Sequence, residues 1–150
     1  MDKIDKTILT ILQENGRISN VALAKTVGLT PPATLERVRK LEEAGYITGY
    51  HARLNVVKLG KGLSCIIALN LVRHEQKSIH EFEEDLKQLN EVEEIYHVTG
   101  RFDYLIKVNV TDVQELRNFL VDKLTKIKRV DKAETFMILS SETDRLIKIE

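Results

Sequence analysis

An excess of charge of one sign is missing from this chain: 23 Lys and Arg stand against 23 Asp and Glu. That balance excludes a polybasic glove, so any affinity for nucleic acid must come from a few placed contacts and from several copies acting together. Tryptophan is absent and cysteine occurs once, at Cys65, which rules out an intrachain disulfide. Lying in an apolar run, that thiol reads as a small buried side chain. No apolar run approaches the roughly 18 residues of a membrane span, and no apolar signal segment opens the chain. With 43% apolar and 31% charged residues it has the make-up of a globular protein expected in the cytoplasm, away from membranes. The four histidines (His51, His74, His80 and His97) are scattered without metal-ligand spacing. His97 has no identifiable nucleophile or orienting partner and reads as a strand histidine. Neither an enzyme nor a metal or cofactor is expected.

Only two prolines occur, and they are adjacent, at Pro31 and Pro32. Proline at the first turn of a helix costs no hydrogen bond, so a helix begins there, with Thr30 as its N-cap. Upstream, Ser19 is a second N-cap, Val21, Ala24 and Val27 form an apolar stripe, and Gly28-Leu29 breaks the helix. Downstream, Leu35, Val38 and Leu41 are expected to face inward and Gly45 to close the helix. Two capped helices about a short turn match the helix-turn-helix design, whose second helix enters the DNA major groove. Any αα-hairpin of a bundle would show similar caps and stripes. The helix in front, with Ile4, Ile8, Ile11 and Leu12 on one face, completes the three-helix unit that supports a recognition helix. Ala33, Thr34, Arg37, Arg39 and Lys40 are then the outward residues.

The pattern changes after Gly45. Tyr46 to Asn55 reads as extended, and Leu59-Gly60-Lys61-Gly62 as a flexible hinge rather than a phosphate loop, since no Ser or Thr follows the lysine. From residue 63 one pattern occurs twice. A β-rich run from Leu63 to Val72 precedes a helix from Ser78 to Leu89, carrying Ile79, Phe82, Leu86 and Leu89, and a strand from Val92 to Val98. A strand from Tyr104 to Val110 follows, then a helix capped by Asp112 with Val113, Leu116, Leu120 and Leu124, then a strand from Ala133 to Ser140. This is β-α-β-β-α-β, the ferredoxin-like arrangement. Two helices cover one face of a four-stranded sheet, so the other face needs a cover, and a second copy of the chain supplies it economically. The expected organisation is α+β: a winged-helix-like helix-turn-helix domain over 1–50, an extended β linker over 51–62, a ferredoxin-like dimerisation and effector domain over 63–140, and a tail over 141–150 without assignment. Residues 1–54 carry eight basic against six acidic residues, and 55–150 fifteen against seventeen, a polarity too weak for tight monomeric DNA binding.

The residues as a set resemble the Lrp/AsnC, or feast/famine, family of transcriptional regulators. The resemblance rests on Asp2-Lys3-Ile4-Asp5, Asn15-Gly16-Arg17-Ile18-Ser19, Val27-Gly28-Leu29-Thr30-Pro31, Arg37 through Gly45, Ile47 through Tyr50, and Val98-Thr99-Gly100-Arg101-Phe102-Asp103-Tyr104. It implies a DNA-binding unit, a β linker and a ferredoxin-like (RAM/ACT-like) domain that dimerises and often binds an amino acid. Dimers of such proteins commonly assemble into tetramers or octameric rings, with effector sites between dimers. The recognition helix departs from the family pattern: Pro32 doubles the proline, and Glu36 puts a carboxylate where many relatives have a basic residue.

Each candidate has two readings. On the DNA side, Ser19 and Thr30 mark helix N-termini, and such ends can hold a backbone phosphate. Thr34 and Arg37 are candidates for base edges, Arg39 and Lys40 for phosphates; an ion pair within the helix for Arg37 and a solvated face for the other two are the competing readings. Over Thr99 to Tyr104, Gly100 lets the backbone approach a bound group, and Asp103 offers the negative charge an α-ammonium requires. The plain alternative is a hairpin turn whose Asp bonds its own backbone; the resemblance favours the ligand. Arg101 either pairs with an acidic ligand or faces water, and Thr135 and Met137 are weaker candidates for the ligand's side-chain contacts. The cluster Lys123, Lys126, Lys128, Arg129 and Lys132 is accounted for by a helix C-terminus. The expected function is transcriptional regulation of double-stranded DNA tuned by an amino acid. The rivals are an amino-acid-sensing subunit that docks on another protein, and RNA binding by the sheet, against which Asp103 and a missing glycine count.

Overall fold

A computed structural model describes residues 1–72, 79–127, 129–142 and 146–149. Ser78, His74 and Lys128, and the side chain of Ile79, lie outside what is described. The chain divides into two compact units, Met1–Arg53 with Glu142–Glu150, and Leu54–Ser141.

The first unit holds three helices: α1 (Lys3–Glu14), α2 (Asn20–Val27) and α3 (Pro31–Glu43). A reciprocal capping box starts α1. The Asp5 amide donates to Asp2 and the Asp2 amide to Asp5, both at 2.9 Å. The Ala22 amide donates to Ser19 Oγ at 3.2 Å, so Ser19 caps α2, which ends at Gly28 with φ +72°. Thr30 occupies the N-cap position of α3, but its side chain makes no capping bond. Two prolines behind it leave no amide at the first two helical positions to cap. Ile8, Leu23 and Leu41 form the core, with Ile4, Leu12, Val27 and Val38 packed against it.

Two apolar positions differ from the sequence expectation. Val21 is exposed and Leu23 takes its place inside, because the buried row of α2 runs through Leu23, Ala24 and Val27. In α3 Leu35 is 59% exposed while Thr34 is completely buried. Positions 34, 38 and 41 make one helical row, and 35 lies about 100° off it. Thr34 tolerates burial because its hydroxyl donates to the Thr30 carbonyl at 3.1 Å. The extended linker is not found as a β element: residues 46–62 contain no strand, and Val56–Gly60 form turns. Nor is Lys61 a free hinge residue. Its amide donates to the Val56 carbonyl, and its ammonium pairs with Glu115 at 3.1 Å.

The second unit is βαββαβ. It runs β1 (Leu63–Leu71), α4 (Ile79–Lys87), β2 (Val92–His97), β3 (Tyr104–Val110), α5 (Val113–Asn118) and β4 (Val130–Met137). After α5 the chain continues through a π-helical turn, Phe119–Lys123, and a 3-10 turn, Leu124–Lys126. The widened turn shifts the helical phase. Phe119, three residues after Leu116 on the same helical face, enters the core, and the widened turn keeps Leu124 on that face; Val113, expected inside, is exposed at the start of α5. Strand order is β2-β3-β1-β4, with every neighbouring pair antiparallel. β4 begins at Val130, three residues ahead of the expected start, because Val130 pairs with Leu71 across an irregularity in β1. Cys65, Ile67 and Leu69 of β1 oppose Val108, Ile106 and Tyr104 of β3, and this row packs on Phe82 and Leu86 of α4 and on α5. Cys65 is inert in this setting, its thiol pushed up by burial. Residues 141–150 had no expected role. In the structure the Ile147 amide and carbonyl bond the Gln13 side chain at 3.1 and 3.2 Å, fastening the tail to α1.

Candidate DNA interface and effector loop

The helix-turn-helix is fixed by polar contacts the sequence reading missed. Asn20 at the start of α2 donates to the Pro31 carbonyl at 2.8 Å, setting the first turn of α3 against α2. Arg37 reaches back to α1, where one guanidinium nitrogen lies 2.7 Å from both Asp2 and Asp5. The Asp5 amide, followed by Arg37, holds the Asp2 carboxyl below its ordinary range, and the two carboxylates raise the guanidinium. Arg37 is thus not part of an intrahelical pair, and both its partners lie on α1. It is a clamp between helices. A signal was available: the N-cap Asp2 and the first-turn Asp5 put two carboxylates at the start of α1, which packs on α3. Behind α3, Tyr50 donates to Glu42 at 2.9 Å, and its phenol is pushed up to about 12, by burial first and by that carboxylate second.

The outward surface of α3 is what remains. Thr34, a second candidate for base edges, is withdrawn by its burial. Ala33, Arg39 and Lys40 are exposed, as are Pro31, Pro32, Leu35 and Glu36. Arg39 pairs with Glu43 at 3.1 Å and Lys40 with Glu36 at 3.5 Å, both at i,i+4 on a solvated face. Such pairs contribute only about 0.3–0.5 kcal/mol, so both cations can exchange partners for DNA. Arg37, half-buried between two carboxylates, cannot do so as cheaply. Ser19 and Thr30 remain exposed at the two helix starts.

In the second unit the loop between β2 and β3 is the candidate effector element. Gly100 has φ +126°, a left-handed conformation that favours glycine. The Val98 amide donates to the Asp103 carbonyl at 3.0 Å, closing the hairpin. The Asp103 side chain does not bond its own turn. Its amide donates to the Leu69 carbonyl at 2.9 Å, and one carboxylate oxygen accepts from the Leu71 amide at 2.8 Å. The loop is therefore pinned to β1 and holds a carboxylate at its rim. Arg101 lies 4.5 Å above the Phe102 ring and 3.3 Å from Glu134 on β4, fully in solvent contact. Thr99 is exposed, and Thr135 is half-buried opposite Ile67.

Tyr104 does not belong to that rim. It is completely buried, edge-on to Phe82 at 5.0 Å and stacked on His97 at 4.7 Å. Its hydroxyl donates to Glu83 of α4 at 2.8 Å, and burial, then that carboxylate, raise the phenol. Strand alternation puts residue 104 on the helix-covered face of the sheet, since it pairs with Leu69. The opposite face carries Ile66, Leu105 and Phe136 around a buried Ala68, and among the described residues no helix packs over it. Among the described residues no group of three His, Cys, Asp or Glu could hold a metal ion, and no helix is long and apolar enough to cross a membrane.

A helix-turn-helix joined to a ferredoxin-like ligand-binding fold defines a DNA-binding regulator that receives a small-molecule signal. Residues 1–48 match the winged helix-turn-helix DNA-binding family and residues 64–146 the Lrp/AsnC ligand binding domain. Leucine-responsive regulatory proteins of Klebsiella pneumoniae and Escherichia coli K12 are 38% identical over 98% of this chain and 91% of their own length. A Neisseria meningitidis transcriptional regulator, solved as its complex with L-Met, superimposes with a TM-score of 0.90 at 32% identity, over 98% of this chain and 96% of that one. Escherichia coli AsnC does so with a TM-score of 0.87 at 32% identity, over 99% of each chain. The chain belongs to the Lrp/AsnC family of transcriptional regulators. It is a DNA-binding regulator and not an enzyme.

Proposed function

We propose that this chain binds operator DNA in the cytoplasm as a homodimer, which assembles further, and that an amino acid bound at the β2–β3 loop tunes its assembly or its DNA affinity. The observation that carries the DNA half is the exposed face of α3, held out by the Arg37 clamp and the Asn20 bond. Ser19, Thr30 and Ala33 would approach the backbone, and Arg39 and Lys40 would exchange their solvated ion pairs for DNA. The helix-free sheet face, with Ile66, Ala68, Leu105 and Phe136, supports pairing of two copies. Two recognition helices would then read pseudo-palindromic half-sites about one helical turn apart, or a multiple of it.

For the effector, Asp103 supplies a carboxylate for the α-ammonium, the backbone lies open at Gly100, and Thr135, opposite Ile67 on β4, is the weaker candidate. The Neisseria relative's complex with L-Met makes an amino acid the ligand class to test first. Calorimetry across the twenty amino acids, combined with gel shifts on the DNA upstream of the chain's own gene, tests both halves. Heat with one amino acid and a sequence-preferring shift are expected. No heat with any removes the sensing half, and equal competition by unrelated DNA removes the operator half. Asp103→Asn separates charge from architecture, because the amide oxygen still accepts from Leu71. Retained amino-acid affinity in that variant would take Asp103 out of the site.

A further inference from the structure

On a helix advancing 100° per residue, the burial of Thr34, Val38 and Leu41 places Pro32, Glu36, Arg39 and Glu43 along the line directly opposite. Glu36 therefore sits in the second turn at the middle of the face proposed to meet DNA, 59% exposed and paired with Lys40 at 3.5 Å. A carboxylate there is repelled by phosphates whatever the sequence, which makes it a liability in a nonspecific binder. Read against base edges it becomes selective. An ionised carboxylate only accepts hydrogen bonds. In the major groove guanine and thymine present acceptors to it, adenine a donor beside an acceptor, and cytosine its N4 amino donor alone.

From this we infer that Glu36 is a specificity-determining residue, selecting cytosine at one position of each half-site, with Arg39 three residues on reading a neighbouring guanine. The inference rests on the proposal that α3 lies in the major groove. Arg39 takes this role because Arg37 is committed to Asp2 and Asp5, while the partner of Arg39 is an exposed carboxylate one turn away.

The test is selection from a random duplex library by the full chain and by Glu36→Gln and Glu36→Ala, each first shown by its melting curve to be folded. The parent chain is expected to enrich a cytosine at one position per half-site and to disfavour the other bases there about 5- to 150-fold. Glu36→Gln is expected to move that single preference to adenine, since an amide offers both a donor and an acceptor. Glu36→Ala should erase it and leave the remaining positions unchanged. Identical enriched sites for all three proteins would overturn the role of Glu36 while leaving α3 as the DNA-binding helix. Failure of the parent chain to enrich any sequence would overturn the reading of α3 itself, and Glu36 with it.

Discussion

The two units of this chain solve the same problem with different means. The three-helix unit has a small core of Ile8, Leu23 and Leu41, and its helix ends are tied by polar devices: the Asp2–Asp5 box, the Ser19 cap, the Asn20–Pro31 bond and the Arg37 clamp. The sheet unit buries twelve of its described residues in one layer, including Phe82, Tyr104 and Phe119. Its polar contacts tie strand to strand and strand to helix, as in Ser64–Asn109, Lys107–Glu93 and Tyr104–Glu83. A small helical unit that must present one helix to DNA cannot surround that helix with apolar contacts, so orientation passes to hydrogen bonds and charge. The sheet unit has apolar surface to spare and leaves one face of it uncovered.

Core truncation gives the largest effects and shows whether the difference is real. Phe82→Ala should cost about 3–5 kcal/mol and Ile8→Ala about 2–5 kcal/mol. The smaller helical core has less to lose before it opens. Amide hydrogen exchange followed residue by residue should show Ile8→Ala releasing protection in α1–α3 while β1 and β3 stay protected. Uniform loss in both units would mean that they do not differ in this way. Arg37→Met comes next. It keeps the aliphatic stem but strands Asp2 and Asp5, so the helical unit should melt earlier and DNA affinity should fall. The base preferences of whatever sites it still binds should be unchanged, because the side chain orients α3 without facing DNA. A changed preference in a selection experiment would restore Arg37 as a base reader.

Much of this was legible in the sequence because it depends on local chemistry. Gly28, the Pro31-Pro32 start of α3 and the Asp112 cap are all events within four residues, and the βαββαβ order follows from alternating periods. What was misread depends on phase. Hydrophobicity chose Leu35 over Thr34, yet the row 34-38-41 decides burial, and a threonine can satisfy its hydroxyl within its own helix. Leu116 and Phe119 share a face by ordinary helical spacing, and a π-helical turn after Asn118, which nothing local announces, is what carries that face on to Leu124. Arg37 was misread because its partners lie 32 and 35 positions away, on α1. In the candidate site the loop was legible through Gly100 and Asp103. Tyr104 was not, because its membership of the core is set by the pairing of β3 with β1.

The two helix caps sharpen the comparison within the first unit. Ser19 accepts a hydrogen bond from Ala22, whereas Thr30 accepts none through its side chain. Ser19→Ala should therefore destabilise by about 1 kcal/mol, and Thr30→Ala should leave the cap energy unchanged. Thermal melts of the two variants decide it. Equal losses would mean that Thr30 acts as a cap in solution after all.

The smallest effect expected is in acid, and it isolates one polar device of the sheet unit. Glu115 accepts from the Thr111 amide at 2.5 Å and pairs with Lys61, and its carboxyl is lowered to about 2, by Thr111 first and Lys61 after. A carboxyl whose folded value is depressed favours the folded state wherever the unfolded chain would still bind a proton. Its contribution is therefore complete above the ordinary value of 4.5 and is lost as the pH falls from there toward about 2. Asp2 in the helical unit follows the same sign, starting from 3.8. Glu115→Gln should flatten the acid limb of stability for β1–β4 and leave that of α1–α3 alone. The carboxyl carbon shift of Glu115, followed by NMR, is the direct measurement. A midpoint near 4.5 would mean that neither the Thr111 amide nor Lys61 engages Glu115 in solution, and that the Gly60-Lys61-Gly62 segment is not held to α5.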